Sequence, residues 1–157
     1  MTRILFVCLG NICRSPLAEA ILREQASAAG ADIDTDSAGT GDWHVGHPPD
    51  RRAIAVAAAH GVDIAGYRAR QIDVRDFDAF DHIVALDRAN LRDLRAIRPA
   101  SAKARLSLLL DHVPGREGHD VVDPYSGADA GFETAWQDIS AGVTGLLGTI
   151  RPADSAR

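Results

Sequence analysis

The chain of 157 residues is long enough for one domain with a substantial buried core. Its composition, 46% hydrophobic and 25% charged, fits an ordinary globular protein, and 22 Asp and Glu against 17 Lys and Arg leave a formal charge of −5. That balance argues against a nucleic-acid partner, whose phosphates call for basic surfaces. The opening Met1 to Val7 is too short for the apolar region of a signal peptide, and no apolar run reaches membrane-spanning length. A cytoplasmic protein with no membrane partner is therefore expected, with its two cysteines, Cys8 and Cys13, reduced.

In chain order, Ile4 to Val7 is a continuous apolar run, the pattern of a strand buried on both faces. Gly10-Asn11 breaks it. Ser15-Pro16 then reads as a helix start, Ser at the N-cap and Pro at the first helical position, and Gly30 ends that helix. A short strand follows from Ile33 to Ser37, then a Gly- and Pro-rich loop from Ala38 to Pro49. Asp50 to His60 reads as an Ala-rich helix. His82 to Leu86 is a strand, Asp87 to Ile97 a helix, and Arg105 to Leu110 a strand. A long loop from His112 to Gly131 leads to a last helix, Phe132 to Ile150, with Phe132, Ala135, Trp136, Ile139, Val143, Leu146, Leu147 and Ile150 at helical spacing.

Strands alternating with helices predict an α/β single domain: a central four-stranded parallel sheet flanked by helices, with a phosphate-binding loop after strand 1. Residues 1–151 form the domain and 152–157 a frayed tail. In such sheets ligands bind beyond the carboxyl ends of the strands, the first of which falls at Cys8.

The segment Cys8-Leu9-Gly10-Asn11-Ile12-Cys13-Arg14-Ser15-Pro16 carries the chemistry. A phosphate dianion needs converging N–H donors, positive potential and a planar bidentate partner. A tight loop running into a helix start supplies the first two, through a nest of backbone amides and the helix dipole. The backbone amides of Leu9 to Ser15 are the expected donors. Gly10 and Asn11 are residue types that accept a positive φ, and Arg14 supplies the fork. A thiol at the mouth of such a nest is held as thiolate, with the Ser15 hydroxyl within reach as a donor. Cys8 then becomes a nucleophile aimed at phosphorus. The bland alternative, a small buried Cys before a capped helix, leaves the Gly-Asn and the Arg-Ser-Pro unexplained.

This loop, followed by Ala18-Glu19-Ala20, closely resembles that of the low-molecular-weight protein tyrosine phosphatases. The likeness continues through Asp36-Ser37-Ala38-Gly39-Thr40, Trp43, Gly46, Arg70-Gln71, Leu86-Asp87, Asn90-Leu91 and Asp123-Pro124-Tyr125, spanning residues 4 to 150. It implies hydrolysis of phosphotyrosine in protein substrates, and of small aryl phosphates, through a phosphocysteine intermediate, with no metal or organic cofactor.

A leaving phenolate calls for a carboxylic acid above the cradle. On the residues alone Asp120, Asp123 and Asp129 compete for that role. The resemblance assigns it to Asp123, which would also activate water against the phosphocysteine. It places Trp43 and Tyr125 at the rim of an aromatic slot, and makes Ser37 a support that hydrogen-bonds to Asn11. Asp87, at the end of a strand, reads as a helix cap. Two positions depart from the family pattern: Ser126 stands where many members have a second aromatic residue, and Tyr67 where many have a His. His44 and His47 are too few for a zinc site.

Cys13, four residues inside the same loop, is a candidate redox partner for Cys8. Two rivals are weighed. An arsenate reductase passes oxidation through further cysteines, and none follows Cys13. A non-catalytic phosphate-binding module has no use for the nucleophile and acid that are both present.

Overall fold

The structure, a computed structural model, describes residues 1–155, with side chains through Ile150. Strand β1 covers Thr2–Cys8 and is followed by α1, Arg14–Ala29, and β2, Ile33–Gly39. Helices α2, Arg51–Ala59, and α3, Asp76–Ala79, precede β3, His82–Ala85. Helix α4, Arg88–Ile97, leads to β4, Arg105–Leu108, then a 3₁₀ turn and α5, Ala130–Ser155. The four strands form one parallel sheet in the order β2-β1-β3-β4, as the alternation of strands and helices implies.

β1 is central, so both its faces are covered. Ile4, Phe6 and Cys8 join the core beneath α1 and α5, while Leu5 and Val7 join the core on the α4 side. Period-two geometry requires this split, and an uninterrupted apolar run is the sequence that satisfies it. Every apolar position read from the last helix is buried in the first core. Each Val, Leu, Ile or Phe among them contributes about 1.5–3 kcal/mol.

The order of the strands creates the crevice. From β1 the chain moves to β2 on one side and later to β3 on the other, so the switch point lies between β1 and β3. Cys8 ends β1 and Asp87 follows β3, which places both at that point. Val121 in the long loop donates its N–H to Leu86 O at 2.9 Å, drawing the loop over the same edge.

Several elements differ from the sequence reading, most by one or two residues at their ends. α1 starts at Arg14 with Cys13 at its N-cap and no side-chain cap, so Ser15 is not the cap. Pro16 therefore lies in the first turn, where its missing N–H costs no helical bond. β4 stops at Leu108, because Leu109 and Leu110 enter the 3₁₀ turn; both are buried, and an apolar run does not distinguish the two conformations. The four-residue α3 is too short to show a period. α5 continues to Ser155; of the tail expected to fray, residues 156–157 lie outside the described residues.

Candidate active site

The loop from Leu9 to Cys13 turns sharply between β1 and α1. Asn11 takes φ 58°, as its residue type allows. Gly10 keeps an ordinary φ, contrary to the sequence reading. Its missing side chain instead makes room for His44, whose Cδ2 would stand 2.9 Å from a Cβ placed there. Gly39 at the end of β2 is needed for the same kind of reason. A Cβ on it would meet Leu9 O at 2.8 Å and Asn11 N at 3.2 Å. Beside it, Thr40 N donates to Cys8 O and Gly41 N to Leu9 O, both at 2.9 Å, so β2 fastens the loop from outside.

Released from capping, the Ser15 hydroxyl lies 3.0 Å from Cys8 Sγ. Asn11 Nδ2 donates to Ser15 Oγ at 2.8 Å and to Ser37 Oγ at 3.0 Å. Ser37 thus stands in hydrogen-bond contact with the loop. Tyr67 does not enter this set as a substitute for His. Its hydroxyl instead accepts from Arg23 NH1.

Arg14 is the largest fully buried side chain, 2% exposed. NH1 donates to Asp87 Oδ2 at 2.8 Å and to Val121 O at 2.7 Å, and NH2 lies 3.6 Å from Asp123 Oδ2. Burial opposes its charge, but Cys8, Asp87 and Asp123 outweigh burial and hold the guanidinium above its ordinary value. Asp87 caps α4 as read from the sequence, accepting from Asn90 N at 2.7 Å. Its second oxygen holds Arg14, a role hidden in the sequence because the partners are 73 residues apart.

These groups open into a cavity of about 100 Å³. Cys8, Ile12, Cys13 and Arg14 are among its lining residues, and Trp43, His44, Asp123 and Tyr125 are the others away from the loop's first turn. Trp43 is 66% and Tyr125 48% exposed, and both line the cavity. The three competing aspartates separate clearly. Asp120 is held by Arg88 through its N at 2.8 Å and its Nε at 3.1 Å, Asp129 lies just before α5, and Asp123 lines the cavity.

Two contributors escaped the sequence reading. His44, set aside there with His47, faces the cavity with its ring 6.3 Å from that of Tyr125. Arg52 on α2 donates to Tyr125 O at 2.8 Å and to Gly127 O at 3.2 Å, tying the loop that bears Asp123 to α2. One of two adjacent arginines at the start of an Ala-rich helix gives no sequence sign of that task. Cys13 is buried, and burial, Asp50 and Cys8 push its thiol well above the ordinary range.

Residues 3–155 match the family described as "Low molecular weight phosphotyrosine protein phosphatase". The chain belongs to that family. Among the relatives of this low molecular weight phosphatase, the protein-tyrosine-phosphatase YfkJ of Bacillus subtilis is 41% identical over 153 residues, 96% of this chain and 97% of that protein. The crystal structure of YfkJ has a TM-score of 0.90, covering 98% of this chain and 96% of that one. The crystal structure of a Drosophila arginine phosphatase, DARP, has a TM-score of 0.88 at 34% identity, covering 95% of this chain and 97% of that one. Among the described residues, no helix of this phosphatase is long and apolar enough to cross a membrane.

Proposed function

We propose that the chain hydrolyses phosphotyrosine in protein substrates, and small aryl phosphates, through a phosphocysteine formed on Cys8. The observation that supports this best is the meeting in one cavity of a thiol 3.0 Å from a hydroxyl donor, a buried guanidinium and a loop carboxylate. The Cys8 thiolate attacks phosphorus in line. The S–P bond forms as the bond to the phenolic oxygen breaks. The loop amides from Leu9 to Ser15 and the fork of Arg14 hold the equatorial oxygens, where negative charge is spread in the transition state. Asp123 gives its proton to the departing phenol. It then takes a proton from water, which attacks the phosphocysteine and releases phosphate and the thiolate. Ser15 donates to sulfur as it departs. Asn11 and Ser37 keep the loop in shape, and Trp43 and Tyr125 form the walls against which a phenyl ring stacks.

Residues 1–151 constitute the catalytic unit, and the reaction takes place in the cytoplasm. Cys13 serves as a redox partner, closing a disulfide with Cys8 under peroxide before irreversible oxidation sets in. If peroxide inactivation of Cys13→Ser reversed with dithiothreitol as fully as that of the wild type, this protection would be ruled out.

Steady-state hydrolysis of p-nitrophenyl phosphate without added metal tests the central reading. Cys8→Ser should abolish turnover, and Asp123→Asn should slow it by about a hundredfold or more. A folded, reduced wild type with no turnover would refute aryl phosphatase activity. A phosphoarginine peptide belongs in the same assay, because one solved relative is an arginine phosphatase.

A further inference from the structure

A second set of polar side chains is buried behind the phosphate loop, away from the cavity. Glu19 on α1 is 8% exposed, and both its oxygens are used. Oε1 accepts from Ser37 Oγ at 2.7 Å and Oε2 from Arg23 NH2 at 2.7 Å. From Ser37 the bonds run on to Asn11 Nδ2, to Ser15 Oγ and to Cys8 Sγ.

Counting protons gives these bonds a direction. An ionised carboxylate only accepts. Ser37 has one proton, which goes to Glu19, so Ser37 faces Asn11 as an acceptor. Asn11 must then present its NH₂, whose two protons go to Ser37 and Ser15, while its Oδ1 accepts from Arg70 N at 3.0 Å. Ser15 receives a proton from Asn11 and keeps its own to donate. Two acceptors are within reach, Ala38 O at 3.5 Å and Cys8 Sγ at 3.0 Å. A thiolate, nearer and charged, takes it. The relay thus has an anion at each end and the Asn11 amide feeding both.

We propose that Glu19 is a positioning residue for the reaction: a buried anion that claims the Ser37 proton and so locks Asn11 and Ser15 in the orientation that donates to the Cys8 thiolate. This rests on Cys8 being the nucleophile. Glu19 touches neither substrate nor the reacting atoms. Around it stand Arg23 on its own helix, Asp36 on β2, and Tyr67 and Arg68 in the segment after α2. Burial raises its carboxyl above the ordinary value, and Ser37 and Arg23 oppose that rise. Protonation of Glu19 at acid pH would release Ser37 from its fixed role.

Glu19→Gln removes the charge at nearly constant shape. Arg23 carries only donors, so the new carbonyl turns to Arg23 and the new NH₂ faces Ser37, which becomes an acceptor there. The test is the rate of Cys8 alkylation by iodoacetamide against pH, with the labelled peptide identified by mass. The midpoint of that profile should move up by about one unit in Glu19→Gln. Ser37→Ala should move it likewise, and the double variant should add nothing further. The rise in Tm produced by inorganic phosphate should stay close to that of the wild type, showing an intact cradle. An unchanged midpoint would overturn the proposal, as would a shift accompanied by loss of the phosphate response, which means a collapsed loop. If Glu19→Gln does not fold, Ser37→Ala decides by the same two readings. Alkylation reads the thiol whether or not an aryl phosphate is turned over, so failure of the relay and failure of the phosphatase reading give different results.

Discussion

Arg14 NH1 and Asp87 Oδ2 lie 2.8 Å apart at the carboxyl edge of the sheet, with the Arg14 side chain 2% and the Asp87 side chain 17% exposed. The aspartate that caps α4 thereby also fastens the phosphate clamp to the end of β3. Asn is as good a cap as Asp. Asp87→Asn should therefore keep the cap while freeing the guanidinium from its charged anchor, and Tm should fall because the buried charge of Arg14 loses a partner. We expect kcat/KM for p-nitrophenyl phosphate to drop by about tenfold, mostly through KM. Wild-type kinetics in this variant would show that Arg14 is held well enough by Val121 O and its packing.

Arg52 governs the acid from a distance. Its bonds to the carbonyls of Tyr125 and Gly127 hold the loop that begins at Asp123. In Arg52→Ala the carboxylate should spend less time above the cavity. That predicts a kcat lower by about three- to tenfold with KM nearly constant. The same substitution made in an Asp123→Asn background should change kcat little, since the group it positions is gone. Additive losses in the double variant would assign Arg52 to stability alone.

The two thiols should react very differently. Cys8 and Cys13 are buried alike, 3% and 4% exposed, but burial, Asp50 and Cys8 push the Cys13 thiol well above the ordinary range. Thiolate is the reactive form. Limited iodoacetamide at about pH 7.5 should label the peptide at Cys8 and leave Cys13 intact until the protein is unfolded. Equal labelling of both in the native protein would show that Cys13 is not held as the thiol.

At the opposite end of the sheet, two histidines should make the protein acid-sensitive. Burial lowers His82 below its ordinary 6.5, with Arg105 adding to the effect. Burial lowers His112 likewise, assisted by His82. A base with a depressed folded-state pKa binds protons more readily when unfolded. Stability is then full above pH 6.5 and falls as pH drops below it. Thermal unfolding followed across that range should show a steeper acid decline for the wild type than for His82→Asn with His112→Asn. Parallel curves would mean that neither histidine is desolvated in solution.

The fold was legible because β1 is an apolar run of strand length, α5 carries a clear helical period, and strands alternate with helices along the chain. Local chemistry marked Gly10 and Asn11 alike as able to take a positive φ, and of the two only Asn11 does. What stayed hidden was long-range. Asp87 reaches Arg14, Arg52 reaches the Asp123 loop, and Glu19 reaches Ser37, and no single one of these residues sits in a motif that announces the contact. The misplaced N-cap has the same origin. A Ser before a Pro reads as a cap when its hydroxyl has no other employment, and here Cys8 and Asn11 supply that employment. His44 was passed over because its loop position is set by the empty space over Gly10, which only three dimensions reveal.

The first helix packs on the last, and Arg14 at the start of α1 is anchored by Val121 from the segment leading to α5. During synthesis the residues from Cys8 to Ser15 leave the ribosome long before that anchor exists. The part of α1 that packs on α5 waits uncovered through most of translation, and the clamp is incomplete for as long. Closure of the core and completion of the reaction centre are therefore one event, timed by emergence of the final helix, so a chain stopped short of it would carry nucleophile, clamp and acid with no closed core to hold them together.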